Sequence, residues 1–212
     1  MIAFFDVDHT LLRGSSARHF LLAGIRRRRF PVTSLRFMPL VYLRFWAGRL
    51  PADPAAWEFP GLRGMLRSDL EELAEASFES IRRDIRPQSA ALVERLRKEG
   101  REIAFATTSV DLIVAPLARY LGVREVVASR LEFSGEVATG RFAGLPLLRE
   151  EKRRRVLELL DSRGIAPQAC SYYTDSVNDL PLLEAVGEGV AVNPDARLAR
   201  LARGRGWRIL RF

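Results

Sequence analysis

The sequence predicts a doubly wound, mostly parallel α/β sheet with a helical segment inserted after its first strand, and three observations predict it. Short, continuously apolar runs recur along the chain, of the kind found in strands buried on both faces. Helical patterns long enough to serve as crossovers separate these runs, and that alternation builds parallel sheets. Residues 14–87 break the alternation, because they hold several helical stretches and no convincing strand.

The elements follow in order. Residues 2–6, IAFFD, read as a buried strand. "REIAFATT" ends at Thr107 and Thr108, "VREVVAS" covers 123–129, and "ACSYYTD" ends at Asp175. "VGEGVAVN" and "GWRILRF" supply the last two strands. Helices are expected over 88–99, 111–121, 150–163 and 178–186. Segment 130–144 alternates around a Ser-Gly-Glu turn and reads as a β-hairpin. Inside the insertion, "SSARHFLLAGIRRRRF", "SLRFMPLVYLRFW" and "SDLEELAEASFESIRR" have helical patterns. The expected organisation is an α/β core of residues 1–13 and 88–212, with residues 14–87 as a helical cap and candidate lid.

At 212 residues and 48% hydrophobic, the chain has enough material for a full core. The net charge of +8 is unevenly spread: residues 1–50 carry nine Arg against two Asp, and 193–212 carry six Arg against one Asp. Basic ends suit anionic partners, and a general preference for arginine explains them as simply. Of 34 basic residues only Lys98 and Lys152 are lysine, so the lysine positions invite a reason. Cys170 is the single cysteine, which excludes an internal disulfide and fits a reducing compartment. Its apolar surroundings suit a core filler. The first apolar run is short and interrupted by Asp6 and Asp8, unlike a signal peptide. "FMPLVYLRFWAGRL", broken by Pro39 and Arg44, is too short to span a bilayer. A cytoplasmic location is expected.

Ligands of open α/β sheets bind beyond the carboxyl ends of the strands. Asp6 and Asp8, Thr107 to Ser109, and Asp175 to Asp179 all fall there. Three strand ends thus deliver acids and hydroxyls to one place. Clustered carboxylates repel unless a cation lies among them, and hard oxygen donors favour Mg²⁺. Taken singly, the aspartates also suit turns and helix caps, Thr107 an ordinary strand, and Lys152 an exposed helix start. His9 and His19 lack a second histidine at ligand spacing, and no metal role is expected of them.

In this order the motifs resemble those of the haloacid dehalogenase superfamily. "DVDHT" fits its D-x-D-x-T motif, "FATTS" an apolar strand ending in Thr or Ser, Lys152 in "REEKRRR" a lysine at a helix start, and "TDSVNDLPLL" an acidic D-x-x-x-D element. The resemblance spans the chain and is strongest to the phosphoserine phosphatase-like branch, through "RPQSAALVERLRKEG", "KRRRVLELLDSRGI" and "NDLPLLEAVGEGVAVNPDARL". It implies a Rossmann-like core and a Mg²⁺-dependent phosphomonoesterase acting on a small phosphorylated metabolite. Asp6 would be the nucleophile, and Asp8 the acid that protonates the leaving alkoxide and then activates water. The metal would be held by Asp6, the backbone carbonyl of Asp8, and Asp175. Asp179 would support the metal or Lys152 from outside, and Lys152 would neutralise the phosphoryl group. Thr107, the backbone N–H of Thr108 and Asn178 would contact substrate. The dehalogenases that named the superfamily lack the second aspartate, so Asp8 points to a phosphate leaving group.

The insertion combines "RRRR" at 26–29 with Phe37, Tyr42, Phe45, Trp46, Arg36 and Arg44. This is either a cap helix with its arginines in water, or a basic surface that touches anionic membrane to reach a lysolipid phosphate. No nucleic-acid partner is expected, since the basic residues form no recognised binding module. After "TLL" the chain reads "RGSSARHF", with no acid until Asp53, where phosphoserine phosphatases carry a cap acid and arginine. A non-enzymatic phospho-acceptor module also combines clustered aspartates, a hydroxyl residue and a lysine. It lacks a helical lid after its first strand and the acid that turnover needs.

Overall fold

The computed structural model describes residues 1–30, 59 and 61–212. The expected helix over 34–46, with Arg36, Phe37, Tyr42, Arg44, Phe45 and Trp46, lies outside them, as does Asp53.

Six parallel strands form one sheet: β1 (Ile2–Phe5), β2 (Glu102–Val110), β3 (Glu125–Ser129), β6 (Ser171–Thr174), β7 (Glu188–Val192) and β8 (Arg208–Leu210), in spatial order β3-β2-β1-β6-β7-β8. β1 sits at the centre, with Ala3 opposite Ile103 on one side and Ser171 on the other. All four of its side chains are buried, which is why its sequence is apolar without alternation. β4 (Leu131–Ser134) and β5 (Val137–Phe142) form the expected hairpin as a separate two-stranded sheet.

Successive side chains on each strand point to opposite faces, and helices cover both. On one face Ala3, Phe5, Phe105 and Tyr173 pack against α3 (Pro87–Lys98) and α4 (Asp111–Tyr120), through Leu92, Val93, Leu96, Val114 and Leu117. Phe5 and Tyr173 stack at 4.4 Å between centroids. On the other face Ile2, Phe4, Ala104 and Tyr172 meet α5 (Glu150–Ser162), α6 (Leu180–Leu183) and α7 (Ala196–Gly204), through Val156, Leu160, Leu182, Leu198 and Ala202. Cys170 is buried in this second layer, as its surroundings suggest.

The 178–186 pattern is tighter than expected. A single turn over Val177–Asp179 leads into the short α6, where Pro181 occupies the first turn. Helix α7 lies outside the expected helices, although its apolar residues recur at helical spacing and Leu198, Ala199 and Ala202 are buried; Asp195 caps it, accepting from the N–H groups of Arg197 and Leu198.

Two insertion helices are described, α1 (Ser16–Arg26) and α2 (Arg67–Asp84). They share a third apolar cluster with the hairpin and α4, including Phe20, Leu70, Leu73, Ile113, Leu131 and Phe142. The hairpin is thus tied to the insertion, and Leu66 bridges Val137 in antiparallel fashion. The insertion leaves and rejoins the core at one place, where Leu12 bridges Ile85 and the Arg13 N–H donates to the Asp84 carbonyl.

Candidate active site

The site lies beyond the carboxyl ends of β1, β2 and β6. The chain leaves β1 through Asp6, whose N–H donates to the Tyr173 carbonyl, and enters a wide turn over Val7–Leu11. Asp8 therefore lies in this turn, beyond the strand. His9 follows it at φ 59°, a left-handed conformation that histidine tolerates better than branched residues.

Lys152, on the first turn of α5, is 1% exposed, and its ammonium reaches three acceptors. These are Asp6 Oδ1 at 3.2 Å, Asp179 Oδ1 at 2.7 Å and the Tyr172 hydroxyl at 3.1 Å. An ammonium has three protons, so this set saturates it. The other Asp179 oxygen accepts from the hydroxyls of Tyr172 and Thr174, each at 2.7 Å. An unpaired buried charge would cost several kcal/mol, and this closed network is how the lysine is kept inside.

The charges are unequal in the effect of burial. Burial pushes the Asp6 carboxyl up to about 7; Lys152 pulls against this, while Asp179 and Asp8 add to it. Burial, then Asp6 and Asp179, push Asp175 well above the ordinary carboxylate range. For Lys152, burial works against the charge, but Asp179 and Asp6 outweigh it and leave its pKa raised. The site thus gathers more carboxyl groups than Lys152 alone can neutralise in their charged form.

Thr10, the last residue of "DVDHT", ties β1's turn to β6's end: its hydroxyl donates to Asp175 Oδ1 at 3.2 Å and accepts from the Asp175 N–H at 3.0 Å. Asp8 is held on its other side. Its Oδ1 accepts from the Ser16 N–H at 2.8 Å, and its Oδ2 from the hydroxyls of Ser109 at 2.9 Å and Ser15 at 3.3 Å. Asp8 thereby caps the first insertion helix from eight residues upstream.

Thr107 is buried, and its hydroxyl accepts from the Ser109 N–H at 3.2 Å. The Thr108 hydroxyl turns away to the Leu147 carbonyl at 2.8 Å. The Asn178 side-chain oxygen accepts from two guanidinium nitrogens of Arg149, each at 3.3 Å. Arg149 precedes α5 at φ 50°, ψ −119°, a region suited to glycine.

The structure therefore brings Asp6, Lys152 and Asp179 into contact, couples Asp175 to Asp6 and Asp179 through charge, and ties it to the turn after β1 through Thr10. Asp8 and Thr107 approach from the Ser109 side, and Asn178 sits with Arg149. Sequence reasoning gave no role to Thr10, Ser15, Ser16, Tyr172 or Thr174. Thr10 was legible as the fixed threonine of its motif; the others carry no local signal. His19 lies in the insertion, between Ser80 and Asp84, each at 3.1 Å.

Among the described residues, no three His, Cys, Asp or Glu side chains gather as a metal cluster. Two mutually repelling carboxylates, Asp6 and Asp175, nevertheless fit a hard cation that keeps several waters.

Residues 3–184 match the family model of the haloacid dehalogenase-like hydrolases. Phosphoserine phosphatase SerB1 of Mycobacterium tuberculosis is 34% identical over 99% of this chain and 70% of its own length. A histidinol-phosphatase of Neisseria meningitidis is 31% identical over 100% of this chain and 98% of its own. A solved structure from Bordetella pertussis, described as a protein with unknown function, superposes with a TM-score of 0.86 at 33% identity, covering 99% of this chain and 97% of that one. A phospho-aspartyl intermediate analogue of phosphoserine phosphatase shares the fold, with a TM-score of 0.65 at 18% identity over 99% of this chain and 91% of that one.

Proposed function

The chain belongs to the haloacid dehalogenase-like hydrolases and is a phosphatase, and from that premise we propose that it hydrolyses a small phosphomonoester through an aspartyl-phosphate on Asp6. The observation that carries this reading is the buried contact of Lys152 with Asp6 at the end of β1. It supports an in-line attack, because a carboxylate beside a fixed ammonium can meet a phosphoryl group whose charge is already matched.

In the first step an Asp6 oxygen bonds to phosphorus, the bond to the substrate oxygen breaks, and Asp8 gives that oxygen its proton. In the second, water attacks the phosphorus, Asp8 takes the water's proton, and phosphate leaves Asp6 free. The Ser16 N–H and the Ser15 and Ser109 hydroxyls orient Asp8 for both transfers. Thr107 and the Thr108 N–H are suited to phosphoryl oxygens, and Asn178 with Arg149 to the substrate's outer part. Mg²⁺ is the usual metal of the family; Asp6, Asp175 and the Asp8 carbonyl would hold it here, and when bound it neutralises charge on the transferring group.

A small metabolite is favoured over a lysolipid. Within the basic run at 26–29, Arg27 pairs with Glu72 and Arg29 with Asp69, so part of its charge is answered within the insertion itself. The organisation into core and cap suits a lid that excludes water over the site.

The test is phosphate release from a panel that includes phosphoserine, histidinol phosphate, sugar phosphates and a lysolipid phosphate, with Mg²⁺ or EDTA. Metal-dependent release that disappears in Asp6→Asn is expected. Stable labelling of Asp6 by a small phosphodonor, with no turnover of any ester, would replace this reading by the phospho-acceptor one.

A further inference from the structure

We propose that Tyr172 is a positioning residue for Lys152, its buried hydroxyl serving as the third acceptor that fixes the direction of the ammonium. This rests on the phosphatase reading for its catalytic consequence, and on geometry alone for the contact.

β6 is an interior strand, where an apolar side chain would be enough to fill the layer. Tyr172 and Tyr173 are adjacent there but face opposite ways: Tyr173 stacks on Phe5, whereas Tyr172 turns toward α5. A fully buried phenol hydroxyl is costly unless bonded. This one stands 3.1 Å from Lys152 Nζ, 2.7 Å from Asp179 Oδ2 and 3.3 Å from the Ala106 carbonyl. It has a single proton, and the short contact assigns that proton to Asp179. Its lone pair is then left facing Lys152. The direction of the hydroxyl is fixed by the two charges it lies between.

A lysine has a flexible four-carbon stem, and two acceptors leave its ammonium free to pivot about the line joining them. A third acceptor removes that freedom. Without the hydroxyl, one buried N–H of Lys152 would lose its partner, and the Asp6-directed N–H would lose its fixed aim.

The chain offers a clean probe, because it has only two lysines and Lys98 is exposed. Protein labelled with ¹⁵N at lysine Nζ should give one slowly exchanging ammonium signal, assigned to Lys152 by its loss in Lys152→Arg. In Tyr172→Phe that signal should move, and its protons should exchange about ten-fold faster or more. Thr174→Val, which takes a hydroxyl from Asp179 but none from Lys152, serves as control and should leave the signal near its wild-type position. In turnover, Tyr172→Phe should lower kcat about ten-fold or more with KM changed less than about three-fold. In a Lys152→Arg background the same substitution should change the residual kcat less than about two-fold.

An unaltered Lys152 signal in Tyr172→Phe would overturn the proposal. So would an equal displacement in Thr174→Val, or the same fractional loss of kcat in both backgrounds. If the wild type turns over no ester, the phosphatase reading fails by itself, and the ammonium spectrum still decides the role of Tyr172.

Discussion

Lys152 and Arg153 to Arg155 are consecutive on α5, yet helical rotation places them in opposite environments. Arg153 meets Glu150 at 3.2 Å, Arg154 meets Glu151 at 2.6 Å as well as Glu158, and Arg155 meets Glu158 at 3.8 Å, all on the exposed side. Lys152 meets Asp6, Asp179 and Tyr172 inside. The count of contacts is similar on the two faces, but their consequences are not. Exposed pairs exchange water for each other at little net gain. A buried charge has no water to return to, so every partner becomes obligatory. That contrast also gives a reason for the residue type: a compact ammonium can turn inward among three close acceptors where a broad guanidinium fork is harder to house.

The contrast can be broken or sharpened by measurement, beginning with the largest effect. Lys152→Ala leaves Asp6 and Asp179 facing each other and should cost about 3–5 kcal/mol in chemical denaturation. A cost below about 1 kcal/mol would mean that the buried network contributes no more than a surface pair.

The second concerns pH. The Asp6 carboxyl, raised to about 7 when folded, has an ordinary value of 3.8. Between those values the folded protein binds the extra proton, so this contribution to stability falls as pH rises from about 4 to about 7 and is level above. In EDTA the thermal midpoint should therefore decline across that window, and Asp6→Asn should flatten the decline. Added Mg²⁺ should raise the midpoint more at pH 8 than at pH 5, because a cation competes with the proton. A midpoint with the same slope in wild type and Asp6→Asn would contradict this.

A smaller effect is expected at Arg149, which occupies a conformation that glycine reaches without strain. Arg149→Gly should raise stability by about 1 kcal/mol while removing the bonds to Asn178. If Asn178 orients substrate, KM should rise in the same variant; a lower stability would show that the Asn178 contact outweighs the backbone strain. Smallest of all, Arg154→Ala should leave the thermal midpoint within about a degree of wild type, and 1 M salt should erase the difference.

Much of this arrangement is legible in the sequence for a physical reason. Strands buried on both faces must be apolar throughout, so Ile2–Phe5 and the runs before Thr107 and Asp175 declare themselves. Charged residues at the ends of such strands are equally visible, which is how Asp6 and Asp175 come to notice, while Lys152 stands out as one of two lysines, at a helix start. The partners that orient them are not. Ser15, Ser16 and Ser109 meet Asp8 across separations of up to 101 residues, and serines in loops have many other uses. Tyr172 looks like another apolar strand residue until the register with β1 decides which face it takes. α7 is legible, although it lies outside the expected helices: Leu198, Ala199 and Ala202 recur at helical spacing behind the cap Asp195, which also accepts from the Val177 N–H.

The bridge between Leu12 and Ile85 has a consequence for how such a chain can vary. Departure and return at one spot make the intervening segment a detour whose length and content the sheet does not sense. The strand order would be untouched by exchanging residues 14–84 for a longer, shorter or differently shaped piece, provided that its ends meet. Outside the sheet there are ties: the hairpin and α4 share an apolar cluster with the detour, and Asp8 caps its first helix. A transplanted segment would need a helix start at that point, or the acid would have to find another donor. New substrate preferences could thus be grafted above an unchanged chemical floor, with the bonds to Asp8 and the apolar seam against the hairpin and α4 as the fittings to respect.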